Sequence, residues 1–234
     1  MASASRPAWT PLEWVTVPTT LPVLPFPAYE VRPRFFSDRL CLRELKESDI
    51  ELLAKLRSQP EVMKWTGQGR PDVDLSATRT HLATMLPPND VSMFEFAISL
   101  KATDEFIGIG GCHKMNGELG WPVMGYMFRS EFWGQGFATE FVACFLDAWW
   151  QLPREEAKLQ VDRATVNDEN NSQLQSECLI AVTVDDNTAS QNVLRKCGWS
   201  LVKVWTEPDV RDPSKEEVLY GFAATAATKP QRWP

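Results

Sequence analysis

Apolar residues recur along this chain with two periods, and the switches between them predict its elements. Leu40, Leu42 and Leu45 stand among Arg39, Arg43 and Glu44, the pattern of a strand with one buried face. Ser48-Asp49-Ile50-Glu51 follows as a capping-box pattern, in which Ser48 covers a first-turn amide and Glu51 reaches back. Ile50, Leu53 and Leu56 then repeat at helical spacing as far as Pro60, which opens a short turn through Glu61, Val62, Met63 and Trp65. Beyond a glycine-containing loop, a second amphipathic helix carries Leu75, Leu82, Met85 and Leu86 and stops at Pro87-Pro88.

Strict alternation of Phe94, Phe96, Ile98 and Leu100 marks a strand, and a polar turn returns the chain as the glycine-rich strand 106–112. Asn116-Gly117 signals a tight turn before a third strand, 123–128. A long helix is predicted from about Gly136 to Gln151, with Phe137, Phe141, Phe145, Ala148, Trp149 and Leu152 inward and Pro153 closing it. The unbroken apolar run from Leu179 to Val184 suits a strand buried on both faces. A helix from Thr188 to Lys196 ends at Gly198, and strands 199–205 and 218–222 follow. This order predicts an α/β fold: a mixed sheet with helices on both faces.

Two stretches escape the pattern. Residues 1–36 hold seven of the 17 prolines, so they propagate no helix and fill no central strand. Their Trp9, Trp14, Val15, Leu21, Val23, Leu24 and Phe26 predict an extended arm packed on the domain surface; a mobile tail or a contact for another protein is the alternative. In 153–177 nine of 25 residues are charged, and Asn167-Asp168-Glu169-Asn170-Asn171 forms neither helix nor strand readily. A loose charged loop insertion is expected there, with Leu159, Val161 and Val166 supporting at most a short strand. The division is then an arm (1–36), one domain (37–223) and a tail (224–234).

The 234 residues suffice for one domain with an appendage, and 44% hydrophobic with 24% charged residues exclude a wholly disordered or fibrous chain. A formal net charge of -7 argues against bulk nucleic-acid binding. No apolar run approaches the ~20 residues that span a bilayer, and Met1 to Pro7 lack the basic start and apolar stretch of a secretion signal. Five cysteines without CxxC spacing suit free thiols in a reduced compartment, so a cytoplasmic protein away from membranes is expected. Two histidines with no HExxH leave little from which to build a metal site, and none is expected.

The chemistry concentrates in Gly125 to Glu140, where a strand feeds a glycine-bearing turn that opens directly into a helix. Unpaired amides at a helix start point outward, the dipole adds partial positive charge, and glycine lets a phosphate approach the backbone. No lysine or Ser/Thr follows in Walker-A spacing, and no GxGxxG is present. The stretch resembles the pyrophosphate-binding motif, Q/R-x-x-G-x-G/A, of the GNAT superfamily of N-acetyltransferases. Trp133-Gly134-Gln135-Gly136-Phe137-Ala138-Thr139-Glu140 is similar to the RimJ/RimL-like branch in particular. So are Arg39-Leu40-Cys41-Leu42-Arg43, the Pro-Glu-Val-Met of 60–63, and the late set Asn187, Ser190, Lys196, Gly198 and Trp199.

The resemblance implies a mostly antiparallel sheet with a cofactor cleft where two parallel strands splay apart, and acetyl-CoA as donor. Backbone amides of Trp133, Gly134, Gln135, Gly136, Phe137, Ala138 and Thr139 would cradle the pyrophosphate, and Met127 and Phe128 would pair with the pantetheine arm. Asn187 would hold the pantetheine, although its place equally suits a helix N-cap. Ser190 would protonate the leaving thiolate, or simply be a small residue in a tight first turn. Branch members often carry a glutamate where this chain has Val123, so the general base is in question. Glu118 is the candidate substitute, against the plainer role of a solvated turn residue. Cys112 and His113 are strand neighbours that point to opposite faces, which places Cys112 in the core and His113 at the rim. The expected activity is direct acetyl transfer to a primary amine, a peptide N-terminus or a small molecule, by a monomer or homodimer. The alternative is a non-catalytic acyl-CoA-binding or protein-interaction module.

Overall fold

A computed structural model describes residues 10–166 and 174–228. Its elements are β1 (Trp14–Pro22), β2 (Phe35–Phe36), β3 (Leu40–Arg43), α1 (Ile50–Arg57), α2 (Pro60–Met63), α3 (Leu75–Ala83), β4 (Phe94–Leu100) and β5 (Phe106–Lys114). They continue as β6 (Val123–Phe128), α4 (Phe137–Trp150), β7 (Arg154–Asp162), β8 (Leu179–Val184), α5 (Thr188–Lys196), β9 (Ser200–Asp209) and β10 (Asp212–Ala224). Eight strands form one sheet in the order β2-β3-β4-β5-β6-β8-β10-β9, with every pairing antiparallel except β6 with β8.

The alternation of β4 divides the core. Phe94, Phe96 and Ile98 turn to the face covered by Phe141, Phe145 and Trp149 of α4 and Leu194 of α5. Ala97 turns to the other, where Leu53 and Leu56 of α1, Val62 of α2 and Leu82 of α3 pack. Full burial of each such large side chain contributes about 1.5–3 kcal/mol. The expected α/β architecture, helices on both faces of a mostly antiparallel sheet, is the one observed.

Three details correct the sequence-based expectations. The stretch 153–177 is no loose excursion, because Arg154–Asp162 pairs with Trp14–Pro22 of the arm over nine consecutive positions. Pro18 and Pro22 are tolerated because a two-stranded ribbon consists only of edges, and Ala157, Leu159 and Val161 alternate with Glu156, Lys158 and Gln160. Val17 and Val161 join Trp121, Ile180 and Trp205 in a third core cluster, and buried Asp162 meets Lys203 Nζ at 3.2 Å. The arm also penetrates deeper than a surface layer, since Phe26 is buried against Phe94 and Trp149 in the main core.

The third correction concerns the first helix. Its capping acid is Asp49 rather than Glu51: a 3-10 turn (Glu47–Asp49) precedes α1, and Asp49 Oδ2 accepts from Lys46 N at 2.9 Å. Asp49 is buried and receives both terminal nitrogens of Arg43 at 2.8 Å, a bidentate pairing that ties β3 to the helix entry. Of the earlier expectations, Trp9, the amino-terminal stretch Met1 to Pro7, Asn167 to Asn171 and most of the tail lie outside the described residues.

Candidate functional site

The one parallel junction of the sheet is also its weakest. β6 and β8 form a single bridge, Val123 with Ile180, supported by Ile180 N donating to the Pro122 carbonyl at 2.8 Å. No further pair follows, so from Met124 onward the two strands part and a cleft opens toward the C-terminal end of β6. Each strand keeps its outer neighbour, β5 for β6 and β10 for β8, so the sheet tolerates the gap.

At the open end, β6 runs through a 3-10 turn (Ser130–Phe132) into the start of α4. Gly134 and Gly136 hold φ of 72° and 83°, the left-handed region in which a Cβ is costly. Gly136 is the N-cap of α4, and an added Cβ at Gly134 would meet nothing within 4 Å. Among the described residues, the amides from Gly134 to Thr139 have no acceptor, so six consecutive donors are left open at the helix start. Trp133 departs from the expected set. Its amide donates to the Ser130 carbonyl at 3.1 Å and its indole to the Phe128 carbonyl at 2.8 Å, so it braces the turn instead of offering a donor.

Arg39, just ahead of β3, holds this cradle from outside. Its Nε meets Glu140 Oε2 at 2.6 Å, its backbone N meets Glu140 Oε1 at 2.7 Å, and its guanidinium lies 4.3 Å from the Phe137 ring centroid. Nη1 donates to the Gln135 carbonyl at 3.1 Å. In a trans peptide the carbonyl and the following N–H point opposite ways, so pinning Gln135 O outward aims the Gly136 N–H into the cradle. Glu140 is thereby occupied as well, with Ser37 Oγ donating to its Oε1 at 2.7 Å, and does not fold back over the helix amides.

Across the cleft, Tyr126 of β6 and Ser190 of α5 meet with their hydroxyl oxygens 3.0 Å apart. Burial raises the Tyr126 pKa, so the phenol stays protonated. Asn187 caps α5, its Oδ1 accepting from Ser190 N at 3.1 Å. Its capping role is therefore real, and its Nδ2 has no acceptor among the described residues. Met127 and Phe128 lie on β6 beside the gap. Glu118 sits in the β5–β6 turn with Lys114 Nζ 3.2 Å from its Oε1.

His113 is the residue whose position the sequence most undersold. It is exposed, as expected of a rim residue, but it is the extra residue of a bulge, because Cys112 pairs with Met124 and Lys114 with Val123. The bulge turns the imidazole onto Gly125, where an added Cβ would lie 3.2 Å from its Cε1 and 3.3 Å from its Nδ1. Cys112, as expected, is in the core. Nothing in the residue pattern announces a bulge, although the glycines on both strands were a hint of close approach.

Arg32 is buried beside β4, donating to the Asp90 and Met93 carbonyls at 2.7 and 3.1 Å, and it faces Glu95 on that strand. Burial pushes the Glu95 carboxyl up to about 7, against the pull of Arg32. Among the described residues no helix is long and apolar enough to cross a membrane, and no three His, Cys, Asp or Glu side chains group to hold a metal.

Comparison with known proteins converges on one family. The family model for the acetyltransferase (GNAT) domain matches residues 39–200. The N-acetyltransferase p20 of Bacillus licheniformis, itself described as uncharacterized, is 33% identical over 132 residues, 53% of this chain and 72% of that protein. The fold is similar to that of a GNAT-family acetyltransferase from Bacillus anthracis, with a TM-score of 0.62 and 19% identity over 83% of this chain and 99% of the other. It is also similar to the microcin C7 self-immunity acetyltransferase MccE, solved with acetyl-CoA and AMP, with a TM-score of 0.60 and 14% identity over 81% and 93% of the two chains. With a family model that spans more than half of its length, and with the cleft and glycine-bearing helix start where that model lies, the chain belongs to the GNAT acetyltransferases.

Proposed function

We propose that this protein transfers the acetyl group of acetyl-CoA to a primary amine by direct attack, and that it stands in the RimJ/RimL-like branch of its family. The observation that carries the reading is the row of six unpaired amides from Gly134 to Thr139 at the mouth of the β6–β8 gap. Such a row, at the positive end of a helix dipole, fits a pyrophosphate. The two left-handed glycines leave the approach clear. The arrangement of the Arg39, Pro60-Met63 and Asn187-Trp199 segments supports the branch assignment.

In this reading the gap receives the pantetheine arm along the free edge of β6 beside Met127, and the Asn187 Nδ2 donates to it. Since the Phe128 carbonyl is already held by Trp133, Phe128 contributes its amide edge and its side-chain wall only. Ser190 hydrogen-bonds the departing sulfur, and Tyr126 behind it replenishes the proton. Neither hydroxyl is a strong acid, so their contribution is to stabilise thiolate charge as it develops. The relative MccE is solved with acetyl-CoA, which supports the choice of donor. The acceptor enters from the face of α1, α2 and α3. There the β9–β10 tip reaches across, Arg211 Nη1 donating to the Lys64 carbonyl at 3.0 Å.

A thermal-shift titration with acetyl-CoA beside a thiol-release assay over a panel of primary amines tests this. Stabilisation together with turnover on at least one amine is expected. Stabilisation without turnover on peptide amino termini, polyamines or small amines would favour a non-catalytic acyl-CoA-binding module.

A further inference from the structure

A primary amine is an ammonium ion near neutral pH and must lose a proton before it attacks, yet Val123 occupies the place of the branch's usual acid. Resting on the acetyltransferase reading above, we propose that His113 is the general base of the reaction, delivered to the site by the β5 bulge and admitted by the absence of a side chain at Gly125.

Three observations place it. First, Gly125 lies two residues past the Val123–Ile180 bridge, so the imidazole stands where the strands begin to part. Second, neighbouring residues of a strand face opposite ways. Tyr126 and its partner Ser190 lie on the α4–α5 face, so His113, packed on Gly125, lies on the α1–α3 face. Proton acceptor and proton donors thus lie on opposite sides of β6, His113 over Gly125 and the Ser190 hydroxyl against the adjacent Tyr126, so each can serve its own step without meeting the other. Third, the bulge makes His113 an unpaired position of the ladder, free to aim its ring independently of the pleat.

The electrostatics agree. Although an edge of the ring stays exposed, the protein packed around it desolvates the imidazole and lowers the His113 pKa; Glu118 opposes that shift, Lys114 adds to it, and the Gly111 carbonyl opposes it. That direction favours the neutral imidazole, the form able to accept a proton. Glu118, paired with Lys114, acts as an electrostatic neighbour of the base and not as the base itself.

The step balances as follows. His113 takes one proton from the ammonium and later yields it to water. The freed lone pair forms the C–N bond to the thioester carbon as the C–S bond breaks. The nitrogen releases its second proton to solvent as the adduct collapses, and sulfur gains one through Ser190 that solvent restores. One proton in total appears in solution for each acetyl transferred.

The test is the pH profile of kcat/KM for wild type, His113→Ala and Glu118→Gln on an amine that the wild type turns over. His113→Ala is expected to lose roughly 100-fold at neutral pH, to recover at alkaline pH, and to be rescued in part by added imidazole, with acetyl-CoA affinity unchanged. Glu118→Gln is expected to move the acidic limb to lower pH. In the wild type, the NMR titration of the His113 Cε1 proton, assigned against a His81 variant, should coincide with that limb. A folded His113→Ala enzyme with the wild-type rate and profile overturns the proposal, as does an NMR titration that departs from the kinetic limb. A wild type that turns over no primary amine overturns the acetyltransferase reading itself, and this inference with it.

Discussion

Tyr126 Oη and Ser190 Oγ face each other at 3.0 Å across the opening between β6 and α5, and this hydrogen bond spans the cleft that the parting strands create. The pair defines the α4–α5 wall of the site. In the proposed reaction the pair acts on charge that develops only as the thiolate leaves, so its removal should affect turnover more than binding. Ser190→Ala is expected to lower kcat about 10- to 100-fold, somewhat below the usual range for general acid–base steps, with acetyl-CoA affinity unchanged by calorimetry. Tyr126→Phe should cost less, and the double variant little more than Ser190→Ala alone, since the two act in series.

The left-handed glycines make the cradle separable from the fold. Gly134→Ala places a methyl group in open space at a φ of 72°, which costs the fold about 1 kcal/mol or somewhat more. On the proposed reading, the same methyl stands where the pyrophosphate must approach the amides. Calorimetry should show CoA binding at least about 10-fold weaker while the thermal midpoint falls only modestly. Gly136→Val, at a φ of 83° and with Arg39 Nη2 at 3.4 Å from the new Cβ, should abolish CoA binding.

Arg39→Ala releases the Gln135 carbonyl and frees Glu140 to compete for the helix-start amides. The KM for acetyl-CoA is expected to rise about 10-fold with kcat changed by less than about 2-fold, the signature of lost binding that is uniform between ground and transition states. Kinetics at saturating amine measure both. A fall in kcat at unchanged KM would show that the guanidinium acts elsewhere.

Glu95 gives a pH-dependent stability. Its folded pKa, near 7, lies above the usual carboxyl value of 4.5, so the folded state binds this proton more tightly. That contribution is fully present below about pH 4 and is lost as pH rises through about 7, to an extent of about 3 kcal/mol at most. Glu95→Gln should therefore be the more stable protein above about pH 8 in urea melts, with the difference gone in acid. A constant difference across the range would mean that Glu95 is ionised throughout.

The sequence carried the core sheet well because its signals were local. Phe94 to Leu100 alternates without interruption, and Leu179 to Val184 is apolar throughout, so strand identity and double burial followed from composition alone. The helix start at Gly136 was legible for the same reason. What escaped was set by partners distant in the chain. The proline-rich arm becomes a strand only because 154–162 comes back to pair with it, roughly 140 residues later, and that stretch hides its Ala157, Leu159, Val161 alternation among Glu156, Lys158 and Gln160. His113 escaped for a different reason: a bulge shifts register by one residue, and the hydrophobic pattern of β5 was already masked by Gly108, Gly110 and Gly111.

Backbone amide NMR of the wild-type protein during an acetyl-CoA titration tests the central claim most directly. The account predicts that the amide signals of Gly134 to Thr139 move furthest, followed by those of Met127, Asn187 and Ser190, while the β1–β7 ribbon stays still. Saturable binding that leaves Gly134 to Thr139 unmoved, or no binding at all, would contradict it.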